Sequence, residues 1–279
     1  MASPNSAPSS SNLGRLPAID GLRGLFALVV VINHVAQKLG SQALFPAANV
    51  SVCAFFLLSG YVLTRGWDGR YGVFLARRFV RLWPAYALCL GAGCLLEQTF
   101  PVWTQFFWYP ILNANSKPAI DPPIWSLCIE AWAMLFMPLI ALAGRGRVWR
   151  AALLYGLAVV ASGYCVKFAF GEYFLIGAFL SRWDFHNRFL SSAVPQWLGR
   201  ISYSLYLTHW LVFALANRYF GGWGVAASVP AAFLVAWLVW RFVERPSIGL
   251  SRRVGGFGRA VGRRFEGIRA DDVAPRALG

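Results

Sequence analysis

The sequence predicts an all-α protein, a polytopic transmembrane helical bundle of about eight spans with both termini cytoplasmic. Three observations predict it. Hydrophobic residues are 58% of the 279 and charged ones only 13%, whereas a soluble domain runs near half apolar and a quarter charged. The apolar residues gather into runs close to the roughly twenty that a helix needs to cross a bilayer. Arginines cluster between alternate runs, as the positive-inside rule requires of a multi-span chain.

The stretch MASPNSAPSSSNLG (1–14) is rich in Ser, Pro and Asn and is expected to be a disordered tail. It has no apolar h-region, so the first span is expected to drive insertion. Spans are expected at 22–39, 48–65, 78–97, 123–143, 149–168, 170–183, 196–217 and 222–242. The sixth, around EYFLIGAFLSRW, is short; it either crosses in part or tilts in a locally thin bilayer. FPVWTQFFWYP (100–110) is aromatic and bounded by prolines, which suits an interfacial loop. Residues 247–279 are Gly- and Arg-rich and are expected to form a basic, flexible cytoplasmic tail able to touch anionic headgroups. The membrane domain is thus expected over 15–246.

The charges orient the spans. Arg65, Arg70, Arg77, Arg78 and Arg81 surround the second turn, Arg145, Arg147 and Arg150 the fourth, and Arg182 and Arg188 the sixth. Arg245, Arg252, Arg253, Arg259, Arg263 and Arg264 follow the last span. The alternate loops are poor in charge, with Lys38, Lys117, Lys167 and Arg218 in turn. The net charge of +15 is therefore assigned to topology and to lipid or phosphate contacts, not to nucleic acid. Five cysteines (Cys53, Cys89, Cys94, Cys128 and Cys165) lie in apolar runs. Their odd number and the lack of a CxxC pair argue against a disulfide framework and a zinc site, and no metal is expected.

The first run, IDGLRGLFALVVVINHVAQ, carries Arg23 near one end and Asn33 and His34 near the other. Eleven residues turn a helix through about 1100°, about 20° past three full turns, and raise it about 16 Å. Arg23 and His34 therefore share a face, about half the hydrocarbon thickness apart. Ionisable groups at that depth mark a functional site; the alternatives are a snorkelling arginine and a histidine at a helix end.

Six motifs follow in order: AIDGLRGLFALVVVINH (18–34), FFLLSGYVL (55–63), RRFVRLWPAY (77–86), WSLCIEAWAMLF (125–136), GRISYSLYLTH (199–209) and FVERP (242–246). Together they resemble the acyltransferase family 3 membrane proteins, over about residues 15–246. The resemblance implies a cell-membrane O-acyltransferase that takes an acyl group, commonly acetyl, from cytoplasmic acyl-CoA. Its acceptors would be hydroxyls of surface carbohydrates or small molecules. It also implies that Arg23 and His34 form the essential pair. The segment between Glu130 and Ile201 is a pair of helices shorter than the family's usual core.

Acyl transfer to a hydroxyl needs a base and a hold on the donor. His34 is either that base or a covalent acyl relay. Glu130, one turn from Ser126, either orients His34, steers the acceptor, or serves as a structural charge at a helix N-terminus. Arg23, Arg65, Arg77, Arg78 and Arg81 are the candidates to grip the phosphates of coenzyme A. Ser59, Tyr61, Ser126, Tyr203, Tyr206 and His209 are candidate acceptor-side residues. Ser202, Tyr206 and His209 fall on one stripe at i, i+4 and i+7. Ser59 either bonds a backbone carbonyl or acts as a nucleophile. Arg241 and Glu244, at i and i+3, are placed to pair. A transporter or flippase of a carbohydrate or lipid-linked intermediate is the competing reading. It calls for inverted repeats and broken helices, and the sequence holds no convincing repeat.

Overall fold

The computed structural model describes residues 16–96, 122–162 and 170–256, and among them every regular element is helical. Helices α1 (Pro17–Lys38), α2 (Phe45–Gly66) and α3 (Tyr71–Leu96) are each long and apolar enough to cross a membrane. A short 3-10 turn leads into α4 (Trp125–Leu135), which bends by 71° into α5 (Met137–Arg145). Then come the shorter α6 (Val148–Ser162) and α7 (Gly171–Leu180). The last pair, α8 (Ala193–Ala227) and α9 (Val229–Gly256), is bent by 91°. Counting each bent pair as one span gives up to five by length and composition.

Several boundaries differ from the expected ones for identifiable reasons. Prolines seed α1 and α2 in their first turns, where the missing N–H costs nothing. α3 starts at Tyr71 rather than at 78, so Arg77 is helical with Arg78 and Arg81. The expected span 123–143 is broken at Phe136, because Pro138 cannot donate to the carbonyl of Met134 and its ring crowds that group. The expected break between 217 and 222 is a kink at Gly221, whose φ 67° and ψ −167° interrupt α8; a short helical piece then runs to Ala227 before the larger bend. α9 passes through a π turn at Trp240–Glu244 and continues to Gly256. Residues 247–256 of the expected tail are therefore helical, with Ser247 and Ser251 buried. Residues 1–14 and 257–279, the 100–110 segment, Lys117, Cys165 and Lys167 lie outside the described residues.

Two glycine seams hold the bundle. A Cβ on Gly24 would strike Gly199 and Leu198, one on Gly199 would strike the Asp20 carbonyl, and one on Gly21 the Leu190 carbonyl. Small residues permit this close approach of α1 and α8, which lipid-embedded helices rely on for packing. Ala27, Val31 and Leu205 continue the seam. It ends at His34 and His209, whose rings touch. Each histidine lies ten residues beyond its glycine, so α1 and α8 run parallel and rise together by about 15 Å. The second seam joins α2 to α7, with Gly60 against the Phe174 backbone and Gly177 against the Leu57 backbone. Phe56, Leu63, Met137, Phe174 and Ala178 form the adjoining core.

Three arginines close three helix ends in a ring. Arg65 of α2 donates to the Ser181 carbonyl just past α7, 2.9 Å away, and pairs with Asp184. Arg182 donates to the carbonyls of Ala143 and Gly144, each at 2.9 Å, and Gly146 at 2.7 Å, at the end of α5. Arg145 of α5 donates to the Thr64 carbonyl at 3.0 Å and to that of Trp67, at the end of α2. These are carbonyls that a helix C-terminus leaves without intrahelical donors, and cations favour that end of the helix dipole. The outer faces stay apolar, with Leu95, Leu153, Leu157 and Val160 exposed, as suits contact with lipid.

Gly177→Val should lower the stability of the detergent-solubilised protein by about 1–3 kcal/mol, the usual cost of overpacking. Gly91→Ala, where a Cβ meets open space, should leave the melting temperature unchanged or slightly raised. Thermal unfolding of the two variants beside wild type checks this.

Candidate active site

α1, α2, α4 and α8 enclose two cavities that share the walls Val52 and Tyr206. The first, about 40 Å³, is lined by Arg23, Ser59, Ser126, Glu130, Ser202, Tyr203 and Tyr206 among others. The second, about 330 Å³, is lined by Asn33, His34, Gln37, Asn49, Trp125, Tyr206 and Trp210 among others. Between them the Ser126 and Tyr206 hydroxyls lie 2.9 Å apart, and both reach the Pro123 carbonyl, at 3.2 and 3.1 Å. The cavities thus lie end to end along α1, Arg23 in one and His34 in the other.

Of the five candidate arginines, Arg23 lines the first cavity. Arg78 and Arg81 of α3 lie in the same electrostatic neighbourhood as Arg23, with Glu130 acting on both and Glu244 on Arg81. Arg77 also acts on Arg78, while its side chain packs against Gly255 of α9. Arg65 is committed to the end of α7, and Tyr61, one turn before it, donates to the Trp183 carbonyl at 2.7 Å. Tyr61 and Arg65 therefore hold α2 to α7, and neither lines the two cavities. Tyr203 donates to the Leu82 carbonyl at 2.9 Å, tying α8 to α3 beside the arginines.

The two glutamates take separate places. Glu130 lines the Arg23 cavity rather than standing beside His34. Glu244 accepts from Ser204 at 2.6 Å and is only 4% exposed, while Arg241 lies over the Phe242 ring. The π turn explains the missing Arg241–Glu244 pair. Its wider winding takes residues three apart off a common face and turns Glu244 into the bundle. Among the described residues, no three His, Cys, Asp or Glu side chains gather as a metal site would require.

His34 forms part of the wall of the second cavity, and the fully buried His209 stands behind it. His34 Nδ1 and His209 Nε2 are 2.8 Å apart, with ring planes 8° apart. His209 Nδ1 is also 2.8 Å from the Leu205 carbonyl, one turn back along α8. A carbonyl only accepts, so in the neutral pair His209 carries its proton on Nδ1 and accepts at Nε2. His34 must then donate from Nδ1, which puts its own basic lone pair on Nε2. Trp210 stands edge-on to His34 with centroids 5.2 Å apart, and Lys38 sits 4.8 Å over the Trp210 ring. Asn33, 2% exposed, has a buried carboxamide Oδ1 with no hydrogen-bond partner among the described residues. Such an orphan costs about 1–3 kcal/mol.

The sequence reading separates His34 from His209 by role and offers Glu130 as one candidate to orient His34; the structure puts His209 beside it. The matched Gly-to-His spacing in DGLRG…H and WLGR…H is the signal that could have found this pairing. A family model, described as Acyltransferase domain, matches residues 16–194, well over half of the chain. This chain belongs to the acyltransferase 3 family. The matched part of this acyltransferase 3 domain contains Arg23, His34, Arg78, Arg81 and Glu130; α8 supplies His209 from beyond it. Acyltransferase MdmB of Streptomyces mycarofaciens is 30% identical over 190 residues, covering 57% of this chain and 48% of that protein. Protein 2 in picA locus of Rhizobium radiobacter is 38% identical over 91 residues, 30% of this chain and 46% of that one. The acyltransferase 3 chain thus spans about half the length of these relatives. No solved structure matches it.

Tyr61→Phe removes one buried hydrogen bond and should cost about 0.5–1.5 kcal/mol of stability. Because Tyr61 faces α7 and not the cavities, acyl transfer should stay within about two-fold of wild type. Paired melting and turnover measurements check both halves.

Proposed function

We propose that the chain is a multi-pass O-acyltransferase of the cell membrane. It moves an acyl group, acetyl in the simplest case, from cytoplasmic acyl-CoA to a hydroxyl of a surface carbohydrate or small-molecule acceptor. The observation that carries this reading is the in-line His34–His209 pair. It opens on a cavity that abuts a second one holding Arg23, and Arg23 stands about half a bilayer from His34 along α1.

In this reading the eight apolar segments of residues 15–246 form one membrane unit with both termini in the cytoplasm. Arg23, Arg78 and Arg81 hold the phosphates of coenzyme A at the cytoplasmic mouth, a task suited to planar, permanently charged guanidinium groups. Glu130 and Glu244, set among them, keep these cations oriented and compensated. The thioester arm passes Ser59, Ser126, Tyr203 and Tyr206 toward His34. His34 Nε2 takes the proton of the acceptor hydroxyl as its oxygen attacks the thioester carbonyl carbon. The carbon–sulfur bond then breaks, and the sulfur leaves as a thiol with the proton returned by His34. His209, its own proton fixed on Leu205, accepts from His34 Nδ1. It thereby fixes the reactive tautomer, and the bond strengthens while His34 carries charge.

The bends at Phe136 and Ser228 could suit a transporter. Neither residue lines the two cavities, so the breaks do not serve a substrate path there. The MdmB relative, named an acyltransferase, supports the same reading.

With purified full-length protein and radiolabelled acetyl-CoA, His34→Ala should lower acetyl release to acceptor or water by about 10²-fold or more. His209→Ala should lower kcat with little change in the KM for acetyl-CoA. Arg78→Ala together with Arg81→Ala should raise that KM. Transfer that survives His34→Ala sinks the reading.

A further inference from the structure

The acyl-transfer reading leaves Arg77 of α3 without a task. It acts on Arg78 and stands one turn before Arg81, while its side chain reaches α9. Its Cδ and Nε lie 2.8 Å, and its Cζ 3.2 Å, from the point where a Cβ on Gly255 would stand. The side chain thus crosses bare backbone near the end of α9. Arg252 comes three residues before Gly255 on the same helix. Positions three apart are surface neighbours, about 5–6 Å between Cβ positions. The Cβ of Arg252 therefore lies within about 9 Å of the Arg77 Cζ, close enough for the two guanidinium groups to meet on one anion.

The charges around these two arginines are unbalanced. Glu130 acts on Arg78 and Arg81, and Glu244 on Arg81. Arg77 is half-buried and Arg252 exposed, and among the described residues neither has an ion-pair partner. Like charges held together repel, and an anion between them turns that repulsion into attraction. A phosphate monoester carries nearly two negative charges and three acceptor oxygens, which suits a pair of planar guanidinium forks.

The order of the groups along the bundle matches one such ligand. With α3 running outward, Arg77 lies about 6 Å nearer the cytoplasm than Arg81. Going inward, the protein presents His34, then Tyr206, then Arg81 with Arg23 acting on it, then Arg77 beside the end of α9. Acyl-coenzyme A has the same order: thioester, pantetheine arm, diphosphate, then a ribose that carries a phosphate monoester on its 3′ carbon.

We propose that Arg77 of α3 and Arg252 of α9 form a separate phosphate subsite of the donor site, which takes the 3′-phosphate of coenzyme A. The proposal rests on the acyl-transfer reading and divides the phosphates within it. Arg23, Arg78 and Arg81 keep the diphosphate, and the end of α9 becomes part of the donor site. The headgroup of phosphatidic acid offers the same phosphate chemistry, so the test separates the two sources.

The test measures equilibrium binding of coenzyme A and of 3′-dephospho-coenzyme A to the full-length protein in detergent. Wild type should bind coenzyme A about ten-fold more tightly than the dephospho form. Arg77→Ala and Arg252→Ala should each remove most of that preference by weakening coenzyme A alone. Affinity for the dephospho form should stay within about two-fold of wild type. Arg252→Lys, which keeps the charge and loses the fork, should keep part of the preference. Arg252 is exposed, so its substitution should leave the melting temperature unchanged. If Arg77→Ala lowers it, Arg77→Gln, which keeps a stem across Gly255, takes its place. Equal binding of the two ligands by wild type, or a preference kept in either alanine variant, overturns the proposal. So does retention of phosphatidic acid in nanodiscs that Arg252→Ala abolishes while the 3′ preference is absent, which assigns the pair to a lipid headgroup. Equal binding together with acetyl transfer that depends on His34 brings down this subsite alone. Protein that binds neither ligand, or transfer that survives His34→Ala, brings down the acyl-transfer reading as well.

Discussion

The contact of Gly24 with Gly199 sets the rest of the site. It brings the α1 and α8 backbones together at one level, and both chains then climb by the same number of residues to a histidine. Parallel helices of equal rise arrive level, so His34 and His209 meet without a dedicated loop or a third helix to guide them. The polar face of α1 is shared between two cavities for the same reason. Arg23 belongs to the level of the glycines, His34 to the level of the second histidine, and Tyr206 of α8 divides the two. A side chain at Gly24 or Gly199 would push the helices apart at the foot of this ladder and move its top.

Much of this was legible in the sequence. The apolar runs locate the helices, and the spacing of Arg23 and His34 puts them on one face. Ser59, Ser126, Tyr203 and Tyr206 do gather along the predicted interior. What was not legible depends on chain segments far apart. His209 is 175 residues from His34, and pairing them requires knowing that two helices are parallel and in register. Of the three roles open to Glu130, its place in the Arg23 cavity depends on how α4 packs against α1, α2 and α8. Glu244 was read on an α-helical wheel, and the π turn rotates it inward. Local periodicity was sound; for Glu244 a departure from regular helix carried the side chain elsewhere, and for His209 and Glu130 the packing of distant helices decided the neighbours.

The arginines show how one residue type serves two demands. Charge excluded from the bilayer core accumulates at one end of a bundle, and helix C-termini at that end need donors. Arg65, Arg145 and Arg182 meet both demands at once, which leaves Arg23, Arg78 and Arg81 as the group beside the small cavity. Counting basic residues between spans cannot separate these sets, because both satisfy the same topological rule. Only the positions of the helix ends distinguish them.

The ring made by Arg65, Arg145 and Arg182 also has a direction in time. A chain made from its N-terminus presents α2 first, then α5, then α7. When α5 arrives, Arg145 can close the end of α2, but Arg65 still lacks the Ser181 carbonyl and the carbonyls ending α5 still lack Arg182. The arrival of α7 makes both remaining links together. Its docking is therefore an assembly checkpoint, at which a truncated chain would be left with an unsatisfied cation on α2 and three bare carbonyls on α5.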